Sequence, residues 1–202
     1  ITSFLIIGFF LFLAFGSSDE DEDDSINTED DSIKISIPLP PEQVSFSALI
    51  DSMYNVYTEQ PNELKKSSVK KARNSLFETI KLERKVTNWI GTLKSMNTNG
   101  EGNASIKVSL FKSRADIETA DYPITLGTNL YEDISSLSNG DTVVVCGRFY
   151  PSPNYMGKYE YEYIYENSYT ESGSMSNPEY YFKFKSVEKF VPSSGQIVPD
   201  IQ

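Results

Sequence analysis

Apolar and polar side chains alternate in several short segments of this chain, and each segment ends at a turn signal. In Ala104–Lys112, Ala104, Ile106, Val108 and Leu110 are separated by Ser105, Lys107 and Ser109. A period of two marks a strand with one buried face. Upstream, Val86–Met96 reads as a strand with Gly91 at its middle, where glycine marks a bulge or a sharp bend. Asn97-Thr98-Asn99-Gly100-Glu101-Gly102 joins the two as a hairpin turn. Its Gly-x-Gly opens no helix, which a phosphate loop requires. A third strand is predicted over Tyr122–Leu126, with Tyr122, Ile124 and Leu126 on one face, and a short helix over Leu130–Leu137. Asn139-Gly140-Asp141 turns into a fourth strand, where Val143, Val145 and Phe149 share a face and Gly147 allows close approach. The fifth, Tyr180–Val187, sets Phe182 and Phe184 inward and Lys183 and Lys185 outward.

The order β-β-β-α-β-β is that of a small closed Greek-key barrel, the OB-fold. Trp89, Ile106, Val108, Leu110, Ile124, Val143, Val145, Phe182 and Phe184 are its predicted core. Before the barrel the period changes. Phe46, Leu49, Ile50, Met53, Tyr54 and Tyr57 recur at helical spacing over residues 42–58. Gln60-Pro61-Asn62 breaks that helix, and Asn62 can cap a second one running to about Leu82. Val69, Ala72, Leu76, Phe77 and Ile80 make its apolar face. Lys65, Lys66, Lys70, Lys71 and Arg73 fall mostly on the other side and read as solvated, since no aromatic residues are interleaved with them.

Residues 4–15 are continuously apolar. They predict either the core of a signal peptide, with Ala14-Phe15-Gly16 as its cleavage site, or a membrane anchor whose upstream part precedes Ile1. Residues 17–33 follow with nine acids and no base, a composition that cannot bury enough surface to fold. An acidic, base-free flank suits the non-cytoplasmic side of a membrane. The expected organisation is an anchor or signal at 1–16, an acidic and proline-stiffened linker at 17–41, helices at 42–82, a barrel domain at 83–191 and a polar tail at 192–202. The net charge of -11 is concentrated in the linker, because residues 83–191 carry fourteen acids against eleven bases.

The chain has no histidine and one cysteine. That composition offers no Ser-His or Cys-His catalytic arrangement and little for a transition metal, so neither a cofactor nor a metal site is expected. Asp116, Asp121 and Asp141 are the carboxylates weighed as an acid/base pair, and nothing in their spacing joins them. The acidic run Asp19–Asp24 has no glycine-turned loop to arrange its carboxylates around calcium.

Tyrosines crowd the segment between the fourth and fifth strands. Tyr159, Tyr161, Tyr163 and Tyr165 take alternate positions, with Glu160, Glu162 and Glu166 between or beside them. Strand periodicity puts the rings on one face of a hairpin arm, tipped near Asn154–Lys158 or Asn167–Gly173. That face is either a contact surface or a layer packed on the barrel. The candidate interaction surface is Tyr155, Tyr159, Tyr161, Tyr163 and Tyr165 with Arg148, Lys183 and Lys185.

Asn62-Glu63-Leu64 and Arg73, then Asn88-Trp89-x-Gly91, Leu130-Tyr131, and Gly140-Asp141-x-Val143 leading to Gly147-x-Phe149, carry a resemblance over about Asn62 to Val187. Together they resemble the tRNA-anticodon-like OB-fold family, found in bacterial membrane-anchored or exported proteins and phage-related proteins. Cys146 departs from it where serine is expected. The resemblance implies the barrel, and implies nucleic acid by fold analogy only. The expected function is therefore a non-enzymatic, membrane-tethered module outside the cytoplasm that binds a protein partner or a small ligand. Single-stranded nucleic acid is the alternative, disfavoured by a net-negative barrel and by the glutamates beside the tyrosines.

Overall fold

The computed structural model describes residues 37–79, 85–119, 123–153 and 159–192, with the backbone alone at 78, 79, 153 and 159–163. The apolar segment 4–15, the acidic run, Ile80, Asp121, Tyr122, Tyr155 and the tail beyond 192 lie outside these residues.

The elements in chain order are α1 (Pro41–Thr58), α2 (Glu63–Thr79), β1 (Lys85–Thr98), β2 (Ala104–Leu110), β3 (Asp116–Glu118), α3 (Asn129–Ser135), β4 (Thr142–Phe149), β5 (Pro151–Pro153), β6 (Tyr159–Ile164), α4 (Glu171–Ser176) and β7 (Glu179–Lys189). Five strands close into a barrel in the order β1-β2-β3-β7-β4, with β4 returning to β1. All neighbours are antiparallel except β3 and β7. This is the OB-fold arrangement, with β5, β6 and α4 inserted before the last strand. All nine predicted core residues are buried.

The third strand is not where alternation placed it. It is Asp116–Glu118, reached by a tight connection from β2 in which the Leu110 N–H donates to the Ala115 carbonyl at 3.1 Å. Three residues with one inward side chain, Ile117, have no visible period. The predicted segment contributes a single bridge, Ala104 to Ile124, and Leu126 is 54 % exposed.

The helices dock through α1. Phe46 is fully buried and its ring lies 5.2–5.7 Å from those of Trp89, Phe77, Phe149 and Tyr180. One turn earlier, Gln43 hydrogen-bonds the barrel backbone directly. Its Nε2 donates to the Ile90 carbonyl at 2.7 Å and its Oε1 accepts from the Ile90 N–H at 2.8 Å. The buried amide satisfies the Ile90 N–H and is itself satisfied by the Ile90 carbonyl, which also accepts from the Phe111 N–H at 3.0 Å. Ile134 of α3 and Leu137 enter the same core.

On α2 the predicted face is rotated. Val69 and Phe77 are buried, Ala72 is exposed, and Arg73, read as solvated, is 1 % exposed. Its guanidinium donates to Glu166 at 2.7 Å, to the Ser174 carbonyl at 2.6 Å and to Asn74 at 2.9 Å. A buried arginine that donates from Nε and both terminal nitrogens is stable where an unpaired one is not.

Two glycines set close approaches. A Cβ on Gly147 would overlap the Lys183 carbonyl and the Phe182 ring, and one on Gly91 would overlap the Ser109 carbonyl. Phe46→Ala should lower stability by about 3–5 kcal/mol, the range for truncating a buried phenylalanine. Gly147→Ala should cost about 1–3 kcal/mol through overpacking. Chemical denaturation at constant slope measures both, and a cost below about 1 kcal/mol for Phe46→Ala would remove α1 from the core described above.

Candidate functional site

Three cations lie side by side across the barrel wall. Lys85 on β1 pairs with Arg148 on β4, and Arg148 pairs with Lys183 on β7. Directly paired positions bring Cβ atoms to roughly 5 Å, so the row spans roughly 10 Å. Two irregularities create it. On β1 the register shifts between Val86 and Trp89, where Asn88 has φ 57°. On β7, Lys185 is the extra residue between partners of Cys146 and Gly147. Bulges re-aim side chains. Here they bring Lys185 beside the row and put Thr87 at the other flank.

Between the two bulges lies a cleft of about 540 Å³. Lys85, Arg148, Lys183 and Lys185 line it, together with Thr87 and Cys146, over buried Val86 and Phe184. All four cations are exposed, and none forms an ion pair among the described residues. The contrast with the rest of the barrel is direct. Lys94, Lys107, Arg114 and Lys189 each hold a carboxylate at 2.7–3.1 Å. Cys146 is occupied locally, accepting from the Asn88 N–H at 3.3 Å and donating to its Oδ1 at 3.4 Å.

The wall formed by β2, β3 and the start of β7 is filled by its own charges. Asp116 accepts from Lys94 and from the Ser109 hydroxyl. Lys107 bridges Glu118 at 3.1 Å and Glu179 at 2.9 Å. Desolvation alone would lower the Lys107 pKa, but hydrogen bonds to Glu179 and Glu118 outweigh it and hold the ammonium above its ordinary value. Asp141 bonds Lys189 and the Ser138 N–H, and these hold its carboxyl below the usual range. Asp116 and Asp141 thus serve separate local bonds. Among the described residues no three of His, Cys, Asp and Glu gather as metal ligands.

The sequence therefore named three of the four cleft cations, Arg148, Lys183 and Lys185, and missed Lys85. The tyrosines divide differently. The hairpin arm exists as β5 paired with β6, from Pro151 with Ile164 to Pro153 with Tyr159, and the candidate tip at 154–158 lies outside the described residues. Tyr159, Tyr161 and Tyr163 lie on β6. The second candidate tip, Asn167–Gly173, is instead tied down. Asn167 donates to Glu118 at 2.6 Å, and Thr170 caps α4 by accepting from the Gly173 N–H. Tyr165 is a packed ring, 4.6 Å from that of Tyr181, whose hydroxyl donates to Asn167 at 2.6 Å. Tyr169, left out of the candidate surface, is 98 % exposed.

No family model matches the chain, and no curated protein and no solved structure matches it either. Among the described residues no helix is long and apolar enough to cross a membrane.

Like charges directly opposite one another destabilise a sheet. Arg148→Gln should therefore stabilise the ligand-free protein at low ionic strength by about 0.5 kcal/mol. The gain should vanish near about 1 M salt, where screening acts within about 3 Å. Thermal unfolding at the two salt concentrations measures this, and a loss of stability at low salt would mean that Arg148 has a structural partner.

Proposed function

We propose that this chain is a non-enzymatic OB-fold binding module that takes an anionic small ligand, or the acidic surface of a protein partner, on the wall formed by β1, β4 and β7. Its relation to the tRNA-anticodon-like OB-fold family belongs to the same reading, as does tethering by residues before Gly16 with the barrel outside the cytoplasm. The observation that carries it is the cluster of four exposed cations with no carboxylate partner among the described residues, on a barrel whose other wall neutralises itself. An unpaired row of like charge costs stability, and an anionic ligand offsets that cost. The nucleic-acid reading lacks an exposed stacking ring in the cleft among the described residues. Phe184 is buried, and nearby Tyr165 packs on Tyr181.

The binding test uses the full chain in nonionic detergent, titrated with sulfate, tripolyphosphate and polyglutamate at low salt. Amide signals of Gly147, Arg148, Lys183 and Phe184 should shift with at least one of these anions, and should stop shifting in the double variant Arg148→Gln, Lys183→Gln. Shifts that are absent, or that survive the double substitution, would end the reading. For the location, protease added to intact spheroplasts should remove the barrel domain of a tagged full-length protein. Digestion only after lysis would put the barrel on the cytoplasmic side.

A further inference from the structure

The row of cations has a spacing, and the spacing discriminates among anions. Lys85, Arg148 and Lys183 stand roughly 5 Å apart, one strand separation each. Carboxylates on one face of an extended peptide repeat every two residues, roughly 6.6 Å. The cationic row is denser than that. A condensed phosphate packs its charge more tightly, because successive phosphoryl groups share a bridging oxygen and each carries acceptor oxygens. Arg148 stands at the centre of the row. A planar guanidinium can grip two oxygens of one phosphoryl group, while the flanking lysines act as point charges.

Space for the rest of a ligand adjoins the row. Lys183 and Phe184 also border a second cleft of about 530 Å³, walled by Thr119, Thr125 and Leu130. Lys183 is exposed to both clefts. A molecule whose phosphates lie on Arg148 and Lys183 could seat an attached organic group there.

We propose that the cleft selects a condensed phosphate, two or three phosphoryl groups joined through bridging oxygens, with Arg148 holding one group by its fork and Lys85 and Lys183 neutralising the charge on either side. This rests on the binding-module reading above. It adds the chemical class of the ligand.

Isothermal titration of the full chain in nonionic detergent, without divalent cations, tests it. The probes are tripolyphosphate, ADP, orthophosphate, polyglutamate and oligothymidylate. Tripolyphosphate should bind at least about tenfold more tightly than orthophosphate or polyglutamate, since it engages more charge-assisted bonds. Arg148→Lys keeps the charge but loses the fork, and should weaken tripolyphosphate several-fold. Arg148→Glu should weaken it by more than about tenfold. The thermal transitions of both variants should stay close to that of the native chain. ADP separates the sources of the phosphate. ADP tighter than tripolyphosphate, and weakened by Thr125→Glu, supports an organic diphosphate. Equal or weaker ADP supports an inorganic chain. Polyglutamate or orthophosphate matching tripolyphosphate, with loss in Arg148→Glu, would overturn the condensed-phosphate assignment and leave the binding module standing. Oligothymidylate binding above all others would overturn it in favour of nucleic acid. Failure of every probe, or indifference to Arg148→Glu, would overturn both.

Discussion

The insertion of Phe46 among four other rings is the interaction on which the rest of this structure depends. The barrel is small, and its inner face is lined by strand residues that cannot by themselves cover Trp89, Phe149 and Tyr180. Phe46 brings a helix to them, and Gln43 holds that helix in register by bonding both backbone groups of Ile90. Packing against α1 then fixes α2. Once α2 is in place, Arg73 reaches Glu166 and Ser174, and those bonds draw the chain after β6 back onto the helices. Losing one partner from such a buried pair costs about 3–5 kcal/mol. The long insertion before the last strand is therefore secured by a sequence of contacts that begins inside the barrel.

How much of this was legible depends on the length over which a pattern repeats. Ala104 to Leu110 shows its period four times, and β2 begins at the residue where the pattern begins. Asp116–Glu118 shows it once. The longer apolar run at Tyr122–Leu126 won the sequence reading for that reason. Arg73 was illegible for a different cause. A buried arginine and a solvated one look alike in sequence, and the distinguishing partners, Glu166 and Ser174, are about a hundred positions away. The cleft was half legible. Outward cations at Arg148, Lys183 and Lys185 follow from alternation. The addition of Lys85 requires the cross-strand register, and that register is shifted by bulges in β1 and β7.

Charge is distributed by wall. Over β2 and β3 each basic side chain meets an acid at hydrogen-bonding distance, so that surface presents little net field. On β1, β4 and β7 the basic residues meet each other at Lys85, Arg148 and Lys183, whereas Lys94 and Lys189 farther along β1 and β7 hold Asp116 and Asp141. The composition of the whole chain hides this asymmetry, because the barrel segment carries more acids than bases and the acidic run before α1 adds to them. A net-negative protein can still offer a positive site, since screening limits the influence of distant charges to about 10 Å at ordinary salt.

The seam between β3 and β7 has a consequence for how the barrel opens. β3 shares only three register pairs with each of its neighbours, β2 and β7, while β4 and β7 share seven. A closed sheet yields first at its shortest ladders. Lys107, on the neighbouring strand β2, bonds Glu118 on one side of the seam and Glu179 on the other, so one ammonium acts as a clasp across the join. Ionic strength weakens such a clasp far more than it weakens apolar packing. Salt can thus loosen one of the bonds across this join at Lys107 while the rings around Phe46 stay packed.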